Sequence, residues 1–155
     1  MKHLIIFAII LLGIILLTYC KKEEMSNIQL NNYANSNIYL KSSELGGKYG
    51  RGVFANKNYE IGDIIELAPY IEDSTNNFKG VIRDYMFSKN DDRIISVIAF
   101  GFASMYNHSD ISNAEWKIDD NFVIIKCVKP IKKDEEIFIN YGNQYWETRN
   151  NLEKK

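Results

Sequence analysis

The sequence has two cysteines, two prolines and two histidines in 155 residues, and almost no net charge. Each shortage removes a class of protein. Two thiols, Cys20 and Cys127, cannot build a disulfide framework or a cysteine-based zinc cluster. No spacing of His, Cys and carboxylates suggests a metal site, so no metal is expected. With 19 basic and 20 acidic residues the formal charge is −1. That argues against direct nucleic-acid binding through phosphate attraction, and leaves open a basic protein or peptide as partner. Neither Ser109 nor Cys127 has two plausible partners for a nucleophilic triad, because His3 sits in an apolar terminal run. There are no internal repeats, no heptads and no GK[ST] phosphate loop.

What is present begins with an apolar segment. Leu4 to Leu17 follows a short basic start, and Lys21-Lys22-Glu23-Glu24 stops it after Cys20. A helix counted from Leu4 to Cys20 would span roughly 25 Å, a little short of a bilayer core. Three readings of residues 1–20 stay open: a retained signal anchor, a lipoprotein signal lipidated at Cys20, and a cleaved secretory signal. Tyr19 weakens the lipoprotein reading, since a small residue is expected there. Either of the first two associates the chain with a membrane. Lys2 on one side and Lys21 and Lys22 on the other leave the orientation unsettled. Residues 21–37 are polar and Asn-rich and read as a linker.

From Ile38 the pattern becomes short and alternating, which predicts a single β-rich domain over residues 38–146 with a polar tail over 147–155. Strands are expected at Ile38–Leu40, Val53–Ala55, Asp63–Leu67, Val81–Phe87, Phe122–Val128 and Glu136–Asn140. Pro69 marks an edge, Asp73–Asn77 a polar loop, and Ile94–Met105 a strand followed by a helical turn. Cys127 alternates with apolar residues in VIIKCVKP and reads as a buried free thiol.

Three stretches concentrate unusual side chains. Leu45–Ala55, LGGKYGRGVFA, is rich in glycine, which lets a backbone approach a ligand closely. Gly101–Trp116 carries Asn107-His108-Ser109 and Asn113, which offer donors and acceptors for a heterocycle or a neighbouring backbone. Glu135–Gly142, EEIFINYG, ends in Tyr141 and a glycine break, with Tyr145-Trp146 after it. Taken singly these read as a hairpin loop, a capped turn with a core histidine, and a core strand. Acidic residues Glu60, Asp63, Glu66, Glu72 and Asp73 form either a solvated face or a groove for a basic peptide.

In this order and spacing the three stretches resemble the SET-domain protein lysine methyltransferases. GRGVFA, NHSDISN and EEIFINYG match the family's three motifs, and DYMFS, GFASMYNHS and YGNQYW look like its minimal viral and bacterial members. The resemblance covers about Ile38 to Trp146. It implies a mainly β (β-rich α+β) fold of the β-clip type, with a C-terminal pseudoknot, preceded here by the hydrophobic N-terminal helix. It also implies S-adenosylmethionine as cofactor and a protein or peptide lysine as substrate. Mapped onto this chain, Lys48, Tyr49, Gly50, Arg51, Gly52, Asn107, His108, Tyr141 and Trp146 would hold the cofactor. Tyr141 would carry catalysis and Tyr85 would line the lysine channel.

Two departures stand out. Ser112 replaces the Pro expected before Asn113, and the zinc-binding flanks of many histone-specific members are absent. The tail with Tyr145-Trp146, or a second copy of the chain in a homodimer, must then close the pocket. Ile139 stands where the family sets methylation degree with Phe or Tyr; the smaller residue predicts di- or trimethylation. The alternative to an enzyme is a catalytically silent SET-like module that binds cofactor or peptide at a membrane. An active domain is expected to face the cytoplasm.

Overall fold

The computed structural model describes residues 37–45, 50–90 and 92–149. The apolar segment, Cys20 and nearly all of the linker lie outside that set, as do Lys48 and Tyr49. No helix among the described residues is long and apolar enough to cross a membrane.

Strands dominate. In chain order they are β1 (Ile38–Ser42), β2 (Arg51–Ala55), β3 (Ile64–Ser74), β4 (Phe87–Ser88), β5 (Ile95–Ala99), β6 (Asn107–His108), β7 (Ala114–Ile118), β8 (Phe122–Cys127) and β9 (Phe138–Ile139). A short helix, Asn143–Glu147, follows β9. β1 and β2 pair antiparallel across the glycine-rich loop. A five-stranded sheet has the order β4-β5-β3-β8-β7, and β6 pairs with β9 in parallel. Alternation is clean in β8, where Val123, Ile125 and Cys127 point into the core and Lys126 points out. Cys127 is buried, as its pattern predicts, and its thiol donates to the Lys129 carbonyl.

The structure differs from the sequence pattern in several places: β6 and β7 were not expected, and the expected strand Glu136–Asn140 is shortened to the two residues of β9. β3 runs on through Pro69 and Asp73, where an edge and a loop were expected. The strand changes partner midway: Ile64–Pro69 pairs with β8 and Tyr70–Ser74 with β5. Pro69 stands at that handover, so its missing N–H interrupts neither ladder's interior. Val81–Phe87, expected as a strand, is a 3₁₀ turn over Gly80–Tyr85 followed by the two residues of β4. Carbonyls in that turn are taken by the C-terminal segment instead of by a strand: the Tyr145 hydroxyl donates to Asp84 O, and Arg149 donates to Arg83 O.

The sheet curls until its two edge strands touch, Phe87 of β4 packing edge-on against Trp116 of β7 with ring centroids 5.2 Å apart. The C-terminal segment then threads between separate parts of the chain. The Ile137 N–H donates to Val53 O, and Ala55 N–H to Glu135 O, so this stretch first lies beside β2. It then becomes β9 and pairs with β6, Asn107 opposite Phe138 and His108 opposite Ile139. Asn113 clamps it from the far side: its amide donates to Glu136 O at 2.9 Å and accepts from the Phe138 N–H at 2.8 Å. The Trp116 indole holds the Asn140 carbonyl at 2.9 Å. This threading is the pseudoknot expected from the motifs. Ser112 does not stop Asn113 from making its turn, since the Asn113 carbonyl also accepts from Val128 and Lys129.

Candidate active site

Threading delivers Tyr141 to the end of β9, and Gly142, at φ +80°, breaks the strand there. The Tyr141 backbone N–H donates to His108 Nδ1 at 3.2 Å. That bond makes Nδ1 the acceptor and leaves the imidazole proton on Nε2, which faces Asp110 at 3.3 Å. His108 is itself buried. The Tyr141 hydroxyl donates to the Tyr106 carbonyl at 2.6 Å. Burial pushes the Tyr141 phenol well above the ordinary tyrosine value, with Tyr145 and Tyr85 adding to the effect. The hydroxyl therefore stays protonated at neutral pH.

Aromatic rings gather around this residue. Tyr145 lies 4.6 Å from Tyr141, and Trp146 stacks on it with centroids 6.0 Å apart and planes 16° from parallel. His108 meets Trp146 edge-on at 4.9 Å. The Trp146 indole Nε1 is buried with no hydrogen-bond partner among the described residues. On the other side of Tyr141 lies a cavity of about 700 Å³. Tyr85, Phe87, Tyr106, Trp116, Ile139 and Tyr145 line it with Tyr141. Tyr85 and Tyr141 thus meet at one cavity, while Asn107, His108 and Trp146 are not among its lining residues.

The start of β2 is held by polar side chains. Asn107 Nδ2 donates to the Arg51 carbonyl at 3.0 Å and to Glu136 Oε1 at 2.7 Å. The Ser43 hydroxyl donates to the other Glu136 oxygen at 2.8 Å. A Cβ on Gly52 would meet Glu136 Oε1 at 2.0 Å and Asn107 Nδ2 at 2.7 Å. Only a glycine lets the strand lie this close to the two side chains. Glu136 was not among the expected site residues; its signal is a carboxylate placed five residues before Tyr141.

Two further residues take places the sequence did not indicate. Arg149, in the polar tail, donates to Asp84 Oδ1 at 2.9 Å and packs 3.9 Å over the Tyr145 ring. It ties the C-terminal helix to the turn at Arg83 and Asp84, and Tyr145 of that helix packs on Tyr141. Glu66 is mostly buried in β3, beside a bulge that breaks register between Ile64 and Glu66. It accepts the Phe102 N–H at 2.7 Å and the Tyr106 hydroxyl at 2.9 Å.

The five acidic residues do not make one groove. Glu66 is turned inward, Glu72 pairs with Lys89, Asp73 binds the Ser74 N–H and Asn77, and Asp63 closes a turn on Glu60. None of them lines the cavity.

A strand-rich domain whose last strand threads beneath a loop, with a tyrosine at its exit, defines a narrow structural class. The SET domain profile matches residues 50–142. A Schizosaccharomyces pombe protein named histone-lysine N-methyltransferase, H3 lysine-37 specific, is 30% identical over 104 residues, 63% of this chain and 69% of its own length. A crystal structure of a candidate histone methyltransferase of Plasmodium falciparum superposes with a TM-score of 0.62 at 30% identity, covering 72% of this chain and 98% of that one. The polycomb repressive complex 2 of Chaetomium thermophilum matches with a TM-score of 0.61 at 25% identity, over 76% of this chain and 16% of that one. The chain belongs to the SET-domain family of protein lysine methyltransferases.

Proposed function

We propose that this chain transfers methyl groups from S-adenosylmethionine to a lysine side chain of a protein substrate. Tyr141 carries the reading. Its hydroxyl is fixed at the cavity wall while its backbone is tied to His108 on the opposite side. One residue thus joins a tyrosine-lined channel to the polar and aromatic groups behind it.

Those groups fit the cofactor. The Trp146 indole is a buried donor without a partner, beside His108 and at the edge of the stacked rings; such a donor marks a place for an acceptor on a ligand. Gly50, Arg51 and Gly52 offer backbone groups, with Lys48 and Tyr49 next in the same loop. The Asn107 amide nitrogen is committed to Arg51 and Glu136. Asn107 would act by holding the glycine loop and by its remaining oxygen and backbone, and Tyr141 and His108 would flank the group. When bound, S-adenosylmethionine supplies an electrophilic methyl on a sulfonium centre.

The chain's own part is to present a neutral amine in line. Free lysine has a pKa near 10.4, so neutralising it at pH 7 costs roughly 4–5 kcal/mol. A cavity walled by Tyr85, Phe87, Trp116 and Ile139 disfavours the ammonium form by desolvation. Tyr141 is a poor base, because its phenol is held protonated. Its hydrogen is already given to Tyr106, so its oxygen accepts from the amine and orients the lone pair. Aromatic faces tolerate the methylated cation that forms.

The test is calorimetric titration of the full chain with S-adenosylmethionine, followed by transfer of labelled methyl to protein lysines. Saturable binding, weakened about tenfold by Trp146→Ala, and transfer are expected. Binding without transfer would leave a cofactor- or peptide-binding module. The same reading requires the domain to face the cytoplasm, where the cofactor is made. Protease protection in fractionated cells tests whether Leu4–Leu17 tethers it there.

A further inference from the structure

Charge around the cavity is one-sided. Arg83, Lys89, Arg93, Lys117 and Arg149 line it, and Asp84 is the one carboxylate among the described lining residues. Arg149 already engages Asp84 at 2.9 Å, and Lys89 is paired with Glu72 outside the cavity. That leaves Arg83, Arg93 and Lys117 with no ion pair or side-chain hydrogen bond among the described residues. Arg93 is the most constrained of the three. Its backbone sits at φ +57°, unusual for a residue with a side chain, and its guanidinium Nε is buried without a partner. A buried donor on a cation that lacks an acceptor points to an anionic group arriving from outside.

We propose that the cavity mouth takes a lysine flanked by acidic residues, so that the protein substrate is an acidic segment and not a basic tail. This rests on the methyltransferase reading of the same site. The two halves of the charge pattern fit one another. Cations around the channel disfavour the protonated form of the incoming lysine, which helps it reach the neutral state needed for attack. The same cations would repel a peptide with further basic residues. Aspartate or glutamate beside the target restores binding by meeting Arg93, Arg83 and Lys117 while the amine enters between Tyr85 and Tyr141. Of the two readings of the acidic residues, the groove for a basic peptide gains no support, since Glu66 is turned inward, Glu72 is paired with Lys89 and none of the five lines the cavity.

Three peptides that share one central lysine, with flanks of glutamate, serine or arginine, test this. kcat/KM for methylation is measured on the full chain at low and at physiological salt, and binding of the same labelled peptides is read by fluorescence anisotropy. The acidic peptide should exceed the basic one by about tenfold or more at low salt, and the ratio should shrink as salt rises. In Arg83→Gln/Lys117→Gln, and separately in Arg93→Gln, the acidic-to-basic ratio should fall toward one. Melting curves confirm that each variant is folded. Equal rates and equal binding, or a preference for the arginine-flanked peptide, overturn the proposal and leave the methyltransferase reading intact. Salt-sensitive binding of the acidic peptide with no methyl transfer to any of the three supports this surface and counts against the methyltransferase reading instead.

Discussion

The hydroxyl of Tyr141 is bonded to the backbone carbonyl of Tyr106, 2.6 Å away and 35 residues earlier in the chain. The bond fixes a rotor that would otherwise turn freely, and leaves the phenolic oxygen only the role of acceptor. Tyr141→Phe removes that acceptor together with the bond to Tyr106. Methyl transfer should fall about 100-fold or more, the scale of a lost positioned group at a reaction centre. Stability should drop by about 1 kcal/mol, one hydrogen bond's worth. Steady-state kinetics with a thermal melt checks both. A variant that keeps a third of its activity would mean that the hydroxyl does not orient the amine.

Glu66 predicts a pH dependence of stability. Burial raises its carboxyl from the ordinary value of 4.5 to about 7, against the opposing bonds from Phe102 and Tyr106. Between those values the folded state binds more protons than the unfolded one. Stability is therefore greatest below about 4.5 on this account and falls as pH rises through 7, by about 3 kcal/mol once ionisation is complete. Glu66→Gln should flatten the fall between pH 5 and pH 8 in melting experiments. Parallel curves for the two proteins would remove Glu66 as its source.

Ile139 is buried, pairs with His108 across the parallel strands and lines the cavity near Tyr141. Ile139→Tyr adds a ring and a hydroxyl where the methylated amine must turn. The product distribution, read by mass spectrometry, should shift from di- and trimethyl-lysine toward monomethyl-lysine. An unchanged distribution would place the size limit on another residue.

At Gly52 the expected damage is steric. A methyl group there meets the Glu136 carboxylate at 2.0 Å. Gly52→Ala should cost about 1–3 kcal/mol, the range for overpacking, and weaken cofactor binding by displacing the Arg51 carbonyl. Denaturant titration reads the first and calorimetry the second. Restoration of stability by Gly52→Ala/Glu136→Ala, relative to Glu136→Ala alone, would locate the clash.

The three motifs were legible because each carries an uncommon side chain at a position the fold demands. Tyr141 precedes its glycine break, Asn107 reaches the glycine loop, and β8 and the thiol of Cys127 follow from simple alternation. What was not legible depended on partners distant in sequence. β3 continues through Pro69 because two different strands pair with its two halves, which a local window cannot register. Gly80–Tyr85 alternates like a strand but coils, since Tyr145 and Arg149 claim its carbonyls. The acidic residues of β3 looked like one face, yet a bulge turned Glu66 inward and Lys89 neutralised Glu72. Arg149 gave no sign of its role, because a polar tail residue acquires meaning only once the chain has folded back on Asp84.

The threaded segment has a bearing on how the protein is made. Residues 135–140 dock beside β2 and β6, under the clamp of Asn113 and Trp116, all of which precede them in the chain. During synthesis the hairpin and the five-stranded sheet emerge first, with nothing to fill the gap between them. Closing contacts across so many residues is slow compared with local pairing. Tyr141 comes after the threaded strand, so it and the helix Asn143–Glu147 behind it join the scaffold only when that strand has docked. A nascent or truncated chain ending before residue 135 would hold a partly formed scaffold without Tyr141, and would expose the apolar core surface that Ile137 and Ile139 cover.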